Sequence, residues 1–144
     1  MTTSTYLPLL HIGRPHLVEH LAFWRHCANR ELRFQRCDNC GAWRHPPGPL
    51  CAACRSPRSR WDLAADDAEL FSYTIVHHAA TAALKQAVPY NVAIVAFPSL
   101  GHLRIVSNVI DAAPHELRIG MPLELAWQQA EKERQLPVFR KAVR

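Results

Sequence analysis

The sequence lacks several features that would place it in other classes of protein. No run approaches the roughly 18 consecutive apolar residues that a membrane-spanning helix needs. The first residues also lack a basic segment followed by a long apolar stretch. Charged residues make up 20% of the chain and apolar residues 49%, which is ordinary for a globular protein and unlike a disordered one. We therefore expect a folded, cytoplasmic protein without a membrane partner.

A recognisable catalytic pattern is also lacking. The nine histidines do not combine with a serine or cysteine into a nucleophile, base and acid. His77 and His78 end an apolar strand pattern, and because successive strand residues point to opposite faces, at most one of them could face a pocket. Asp66, Asp67 and Glu69 are interpreted as a solvated linker. We expect no catalytic residue in this chain.

Four of the five cysteines form two closely spaced pairs. Cys37 and Cys40 are separated by two residues, as are Cys51 and Cys54, with ten residues between the pairs. Such a gap lets a turn direct two thiolates at one tetrahedral Zn²⁺, and Gly41 suits a turn with positive φ. Disulfides or a redox dithiol are the rival interpretation, but a cytoplasmic protein does not keep structural disulfides. We predict a structural zinc site, because four thiolates leave no open position for substrate.

The first 30 residues are predicted to form an arm and a helix. Residues 1–14 show no clear period and are predicted to be an N-terminal arm, followed by an amphipathic helix over residues 15–30. Its apolar face is predicted from residues spaced by four, three and four, widened by three neighbours: Leu17, Leu21, Trp24 and Ala28, with Val18, Ala22 and Phe23. Cys27 on this helix is interpreted as a semi-buried thiol rather than a nucleophile.

The rest of the chain is predicted to form strands. The expected fold is therefore a mainly β protein of two modules. Residues 31–62 are predicted to be a rubredoxin-like zinc ribbon, with a strand in ELRFQRC, an extended or turning GAWRHPPGPL and a last strand at Trp61. Residues 63–142 contain three strand patterns, ELFSYTIVHH, VPYNVAIVAF and HLRIVSNVI, then a helical turn, then PLELAW and LPVFRKA. Five strands with a short helix between the third and fourth is the order of a five-stranded OB-fold barrel.

The connections between the predicted OB-fold strands can also be predicted from the sequence. The sequence Pro-Ser-Leu-Gly ending at Gly101 is predicted to connect the second and third barrel strands. Asp111 is predicted to cap the helical turn and Gly120 to end it. Residues 79–87 have a helical composition but join two strands, and we predict a loop or a single helical turn there.

Taken in order, these motifs resemble a known family. The motifs are Phe23-Trp24, the paired cysteines with Gly41 and Pro46-Pro47, VPYNVAIVAF, Ser107-Asn108, LRIGMP and LPVFR. They are similar to bacterial and archaeal proteins that join a zinc ribbon to an OB-fold, a family first described as a domain of unknown function and associated with acyl-CoA metabolism. The resemblance covers about residues 15–142.

The resemblance implies a non-catalytic partner of a thiolase-like enzyme, such as an acetyl-CoA acyltransferase or an aldolase. In such complexes the partner's cysteine performs the chemistry, while the ribbon and barrel brace the assembly and help to enclose acyl-CoA. Members paired with a hydratase are also known, and that role would need a separate chain here. Five residues are candidates for contact with CoA or the partner: Phe23, Trp24, Arg44, Arg55 and Arg58.

Nucleic-acid binding is the alternative function. Residues 1–61 contain nine arginines and three acidic residues, and zinc ribbons and OB-folds both occur in proteins that bind single strands. Residues 62–144, however, contain eight basic and nine acidic residues. Tyr90, Phe97 and Arg104 are the only obvious stacking or charged candidates on the second and third barrel strands. We therefore expect an acyl-CoA enzyme as partner rather than a nucleic acid.

Overall fold

A computed structural model of the chain describes residues 17–129 and 134–143. The predicted N-terminal arm and the connection before the last strand lie outside these residues. Within them, one helix precedes eight strands: α1 (Val18–Ala28), β1 (Arg33–Cys37), β2 (Trp43–Arg44), β3 (Ser59–Leu63), β4 (Glu69–Val76), β5 (Tyr90–Phe97), β6 (Leu103–Ser107), β7 (Leu123–Gln129) and β8 (Gln135–Lys141).

Helix α1 is present, but only part of its predicted face is buried. Phe23 and Cys27 are 6% and 0% exposed, whereas Leu17 and Leu21 are 49% and 40% exposed. Leu17, Leu21 and Ala28 of the predicted stripe are therefore exposed. Trp24 is partly buried against the core, and Phe23, at the widened edge of the stripe, is buried there together with Cys27. The local spacing fits either side of this stripe, because a broad apolar surface does not specify which part of it meets the sheet.

The helix ends in a backbone motif rather than at a glycine. Arg30 has a φ of 55°, and its N–H donates to the carbonyl of Cys27 at 2.8 Å while the N–H of Glu31 donates to His26 at 3.1 Å. These two bonds form a Schellman motif. The turn directs the chain into β1.

The ribbon is a three-stranded antiparallel sheet with the order β2-β1-β3. Gln35 in the central strand pairs with Arg44 on one side and Trp61 on the other. The predicted strands at ELRFQRC and Trp61 are confirmed. The segment GAWRHPPGPL, predicted to be extended or turning, also contains the short strand β2.

The OB-fold strands occur in the predicted order but do not close into one continuously hydrogen-bonded barrel. They form a sheet with the order β4-β5-β6 and a hairpin of β7 and β8. Isolated bridges join the two sheets, one between Glu69 and Pro122 and one between Val109 and Phe139. The OB-fold is therefore confirmed, with the qualification that it is built from two bridged sheets.

The turns between these strands partly match the predictions. Residues 79–87 contain one 3₁₀ turn, Ala82–Leu84, and a second 3₁₀ turn, Pro98–Leu100, leads into Gly101. The third 3₁₀ turn, Pro114–Glu116, follows Ala113, so the prediction that Asp111 caps it is wrong. Gly120 does not end that turn either. Its φ of 86° instead allows its N–H to donate to the carbonyl of Leu70 at 2.7 Å.

One buried cluster connects the helix, the ribbon and the OB-fold. It contains Phe23, Cys27 and Phe34 together with residues of both OB sheets such as Phe97 and Phe139. The Phe34 and Phe97 rings meet edge to face at a centroid distance of 5.2 Å. Aromatic pairs of this kind contribute beyond their buried area. The predicted boundary at residues 62 and 63 stays a prediction, and the core crosses it.

Candidate metal centre and an adjoining groove

The two cysteine pairs are brought together into one cluster. The Sγ atoms of Cys37, Cys40, Cys51 and Cys54 all lie within 4.8 Å of one another. Cys37 and Cys54 have sulfurs 3.6 Å apart, as do Cys40 and Cys51. Thiolates about 2.3 Å from a tetrahedral Zn²⁺ are about 3.8 Å apart. The cluster therefore has the dimensions of a four-sulfur zinc site.

The two pairs adopt the same backbone turn. The N–H of Gly41 donates to the carbonyl of Cys37 at 3.0 Å, and the N–H of Arg55 donates to the carbonyl of Cys51 at 2.8 Å. Gly41 and Arg55 have φ values of 74° and 63°. Each residue therefore ends a knuckle that turns its two thiolates toward the shared centre.

Backbone N–H groups stabilise the charged form of two of the sulfurs. The N–H groups of Cys40 and Asn39 donate to Cys37 Sγ at 3.5 and 3.3 Å, and they lower the pKa of Cys37 to about 6. The N–H groups of Cys54 and Ala53 lower the pKa of Cys51 in the same way. Thiolates are thus favoured at Cys37 and Cys51. At Cys40 the backbone N–H of Ala42, which lowers the pKa, is outweighed by the neighbouring sulfurs and by desolvation together, and the pKa is raised to about 11. A cation among the four sulfurs would favour the thiolate form of all four. The donor set fits Zn²⁺, which would be held by the four sulfurs in a structural role.

Arg44, a predicted contact residue, belongs to a hydrogen-bonded hub inside the ribbon. The buried Gln35 accepts at Oε1 from Arg44 Nε at 2.7 Å and from the N–H of Gly48 at 2.8 Å. Its Nε2 donates to Ser59 Oγ at 3.0 Å. Arg44 also donates to the carbonyl of Gly48 at 2.9 Å. Gln35 thus ties the loop between the cysteine pairs to β1 and β3, a role that sequence reasoning missed.

Phe23 and Trp24 line a pocket of about 200 Å³ with a residue that the sequence did not suggest, His45. The His45 ring lies 5.1 Å from Phe23 and 5.3 Å from Phe34, measured between centroids. Burial lowers the pKa of His45 to about 4, so the ring is neutral at physiological pH. Its Nδ1 is buried without a hydrogen-bond partner among the described residues. The sequence offers one signal for His45: it directly precedes Pro46-Pro47, which is one of the motifs of the resemblance.

A second pocket of about 380 Å³ adjoins the first, because His45 lines both. Its polar walls are Arg44, His102 and Arg104, and Trp43 also contributes. We call the two pockets together the β6 groove. One side of the groove is residues 100–108. The other side is formed by Phe23, Trp24, Trp43, Arg44, His45 and the β8 residues Leu136, Pro137 and Val138.

Arg55 and Arg58 are not brought into this groove. Both are exposed on the segment that contains and follows the second cysteine pair. Arg55 N–H closes the knuckle, and the carbonyl of Arg58 accepts from the N–H of Asp38 at 3.1 Å. Their backbones therefore brace the metal site, and whether their side chains contact a partner stays a prediction.

Several motifs of the resemblance meet in one hydrogen-bonded junction. Asn91 Nδ2 donates to the carbonyl of Val109 and its Oδ1 accepts from the Val109 N–H, both at 2.8 Å. Asn108 Nδ2 donates to the carbonyl of Asn91 at 2.5 Å. Ser107 Oγ donates to the carbonyl of Pro137 at 2.8 Å. These side chains hold β5, β6 and β8 together where the regular pairing of β5 and β6 ends.

A third pocket lies between the ribbon and the OB-fold. It has a volume of about 650 Å³ and an apolar floor that includes Leu32, Phe97 and Phe139. Arg30, Glu31, Asp66 and Glu124 are among its polar lining residues. None of the predicted contact residues lines it. Within the described residues, no helix is both long enough and apolar enough to cross a membrane.

The fold and the cysteine cluster define a protein in which a zinc ribbon is joined to an OB-fold. The family model for the rubredoxin-like zinc ribbon domain of ChsH2 matches residues 24–59, and the model for the C-terminal OB-fold domain of ChsH2 matches residues 61–128. A DUF35 domain-containing scaffold protein of Methanocaldococcus jannaschii is 30% identical over 112 residues, which cover 76% of this chain and 77% of that protein. The chain belongs to the DUF35 family, and the resemblance is confirmed.

Further relatives are named as parts of enzymes. A probable enoyl-CoA hydratase alpha subunit of Thermomonospora curvata is 41% identical over 133 residues. The match covers 90% of this chain but only 40% of that protein. A solved chain of the Ltp2-ChsH2(DUF35) aldolase superimposes with a TM-score of 0.80 at 37% identity, over 90% of this chain and all of that one. A DUF35 protein of Sulfolobus solfataricus, at 14% identity and a TM-score of 0.60, shares the fold.

Proposed function

We propose that this chain is a non-catalytic accessory subunit that binds a thiolase-like enzyme, an acetyl-CoA acyltransferase or an aldolase. The observation that carries the proposal is the match to the whole DUF35 chain of the Ltp2-ChsH2 aldolase, at 37% identity. Two archaeal relatives named as scaffold proteins support the accessory role. A four-sulfur metal site agrees with this role, because its ligand shell is filled by the protein.

The subunit helps to form or cover the partner's acyl-CoA site. Phe23, Trp24 and Arg44 support this part of the proposal, since they line the two adjoining pockets of the β6 groove. Arg55 and Arg58 are exposed beside the metal site and provide positive charge for a phosphate or an acidic surface. Zinc, in this account, holds the ribbon in shape and has no part in the chemistry.

The nucleic-acid alternative has less support from the geometry. Ile94 pairs with Val106, and Ala96 pairs with Arg104, on the outer face of β5 and β6. Proteins that bind single strands present stacked aromatic side chains and positive charge on this face. Here the paired residues are aliphatic apart from Arg104, whose guanidinium carbon lies 3.7 Å from the centroid of the Phe71 ring.

Co-purification tests the proposal. The tagged chain is co-expressed with the genes that neighbour its own and purified by its tag. We expect a thiolase-like protein to elute with the chain in a fixed ratio and to remain with it through size exclusion. A hydratase that co-elutes in its place would reassign the partner. Elution of the chain alone, with an oligonucleotide shift at physiological salt, would overturn the proposal.

A further inference from the structure

The third pocket, between the ribbon and the OB-fold, has an apolar surface that extends out to solvent. Its floor includes the buried residues Leu32, Phe97 and Phe139. Leu63, the last residue of β3, and Leu125 of β7 also line it, and they are 57% and 39% exposed. An exposed apolar surface rimmed by polar residues marks a site of interaction.

Backbone hydrogen bonds hold both walls of this pocket. On the ribbon side, the N–H of Ala64 donates to the carbonyl of Leu32 at 2.8 Å. On the OB side, the N–H of Leu123 donates to the carbonyl of Ala68 at 2.8 Å. All four of these residues line the pocket. The site is therefore already formed, and binding loses little free energy to ordering it.

The rim of the third pocket is acidic. Among the described residues that line it, Glu31, Asp66 and Glu124 stand against one basic residue, Arg30. Asp66 and Glu124 are exposed. An excess of carboxylates repels phosphates, so the rim disfavours CoA and nucleic acid and favours a cationic occupant. The β6 groove, whose charged lining residues are basic, has the opposite preference.

We propose that the third pocket docks a segment of the partner enzyme in which apolar side chains are flanked by lysine or arginine. The apolar side chains lie between Leu63 and Leu125, and the cations meet Asp66 and Glu124. This inference rests on the proposed function and adds a second surface to it, which binds the enzyme itself rather than its substrate. Complementary charge of this kind selects the partner and speeds its association.

Photocrosslinking of the purified complex tests the docking directly. The photoreactive residue p-benzoylphenylalanine replaces Leu63 in one variant and Ile119 in the other. Ile119 is the control, because it is 71% exposed and lines none of the three pockets. We expect the Leu63 variant to crosslink to an enzyme peptide that contains lysine or arginine beside apolar residues. The Ile119 variant is expected to give no crosslink to that peptide.

Loss of one rim charge provides the second arm. Glu124→Gln is expected to weaken affinity for the enzyme by about threefold or more at low salt, since it removes a carboxylate that faces the cations. In about 1 M salt, where the Debye length is about 3 Å, the difference is expected to disappear.

The matched control is Asp111→Asn. It removes the same charge from an exposed residue that lines none of the three pockets. Asp111 has a φ of 56°, a conformation that asparagine also adopts. The control is expected to change affinity by less than about 1.5-fold at low salt.

The outcomes separate the two proposals. An enzyme that co-purifies but does not crosslink at Leu63, and that binds Glu124→Gln as tightly as the parent, overturns this docking and leaves the accessory function intact. Absence of any enzyme partner overturns both. A Leu63 crosslink to residues 1–16 of this chain, to a second copy of it or to an enzyme peptide without lysine and arginine would also overturn the docking as proposed.

Discussion

Two residues of opposite character occupy equivalent positions in the cysteine knuckles. Gly41 and Arg55 both have positive φ and close the same turn, at 74° and 63°. Glycine adopts this conformation freely, whereas an arginine pays about 1 kcal/mol or more. The Gly41 turn could be predicted from its residue type. The Arg55 turn could only be inferred from the repeat of the cysteine spacing.

Replacing one ligand tests the structural role of the metal. Cys40→Ser is expected to leave less than one zinc per chain and to unfold the ribbon, because structural zinc contributes on the order of 10 kcal/mol to small zinc modules. Metal analysis and circular dichroism measure the two effects. Cys27→Ala is the control, since this buried cysteine lies outside the cluster. A Cys40→Ser chain that keeps both its zinc and its ribbon would contradict the assignment.

His45 makes stability depend on pH. Its pKa is lowered by burial from 6.5 to about 4, so between these values the unfolded chain binds more protons than the folded one. The contribution of the neutral ring is complete above about pH 6.5 and is lost as the pH falls towards 4.

We expect this histidine to account for about 2 kcal/mol of the stability lost between pH 7.5 and pH 5. Urea unfolding of the parent and of His45→Leu at both pH values measures the difference. The comparison removes the effects of the metal site and of His26, whose pKa burial also lowers. Equal losses in the two proteins would show that His45 does not titrate in this range.

At the scale of elements, the strands were predicted well and the helix face only in part. Each strand has its own signature of β-branched and aromatic residues bounded by turns, which is local information. The orientation of α1 depends on the residues that it packs against. These include His45 and strand β8, which are distant from the helix in sequence. The bridges between the two OB sheets likewise depend on non-local pairing. Sequence patterns do not encode either contact.

Two alanine substitutions on α1 test the revised face. Phe23→Ala is expected to lower the free energy of unfolding by about 3 kcal/mol, because it empties a buried site. Leu21→Ala, on the predicted face that proves to be 40% exposed, is expected to cost less than about 1 kcal/mol. Chemical denaturation measures both. A larger loss for Leu21→Ala than for Phe23→Ala would show that the Leu21 side of the helix faces the core.

At the scale of the whole molecule, the predicted modules share a core. Phe34 of the ribbon contacts Phe97 of the OB-fold, and Phe97 lies 6.2 Å from Phe139, measured between ring centroids. A boundary near residue 62 is predicted from the change of pattern and stays a prediction. The shared core could not be predicted, because it forms only when the two parts meet.

Cooperative unfolding is the expected consequence of the shared core. We expect one transition when the cobalt(II)-substituted chain is unfolded by denaturant, with the thiolate-metal absorption and the far-ultraviolet circular dichroism changing together. Two separated transitions would indicate that the ribbon and the OB-fold fold independently and that the contact between Phe34 and Phe97 contributes little.

The central claim is that the chain completes another enzyme. It is tested most directly by titrating the purified chain into its purified thiolase-like partner and measuring acyl-CoA cleavage. The account predicts that activity is low without the chain, rises with each addition and stops rising at a fixed molar ratio, while the chain alone has none. Activity that is full without the chain and unaffected by its addition would contradict the account.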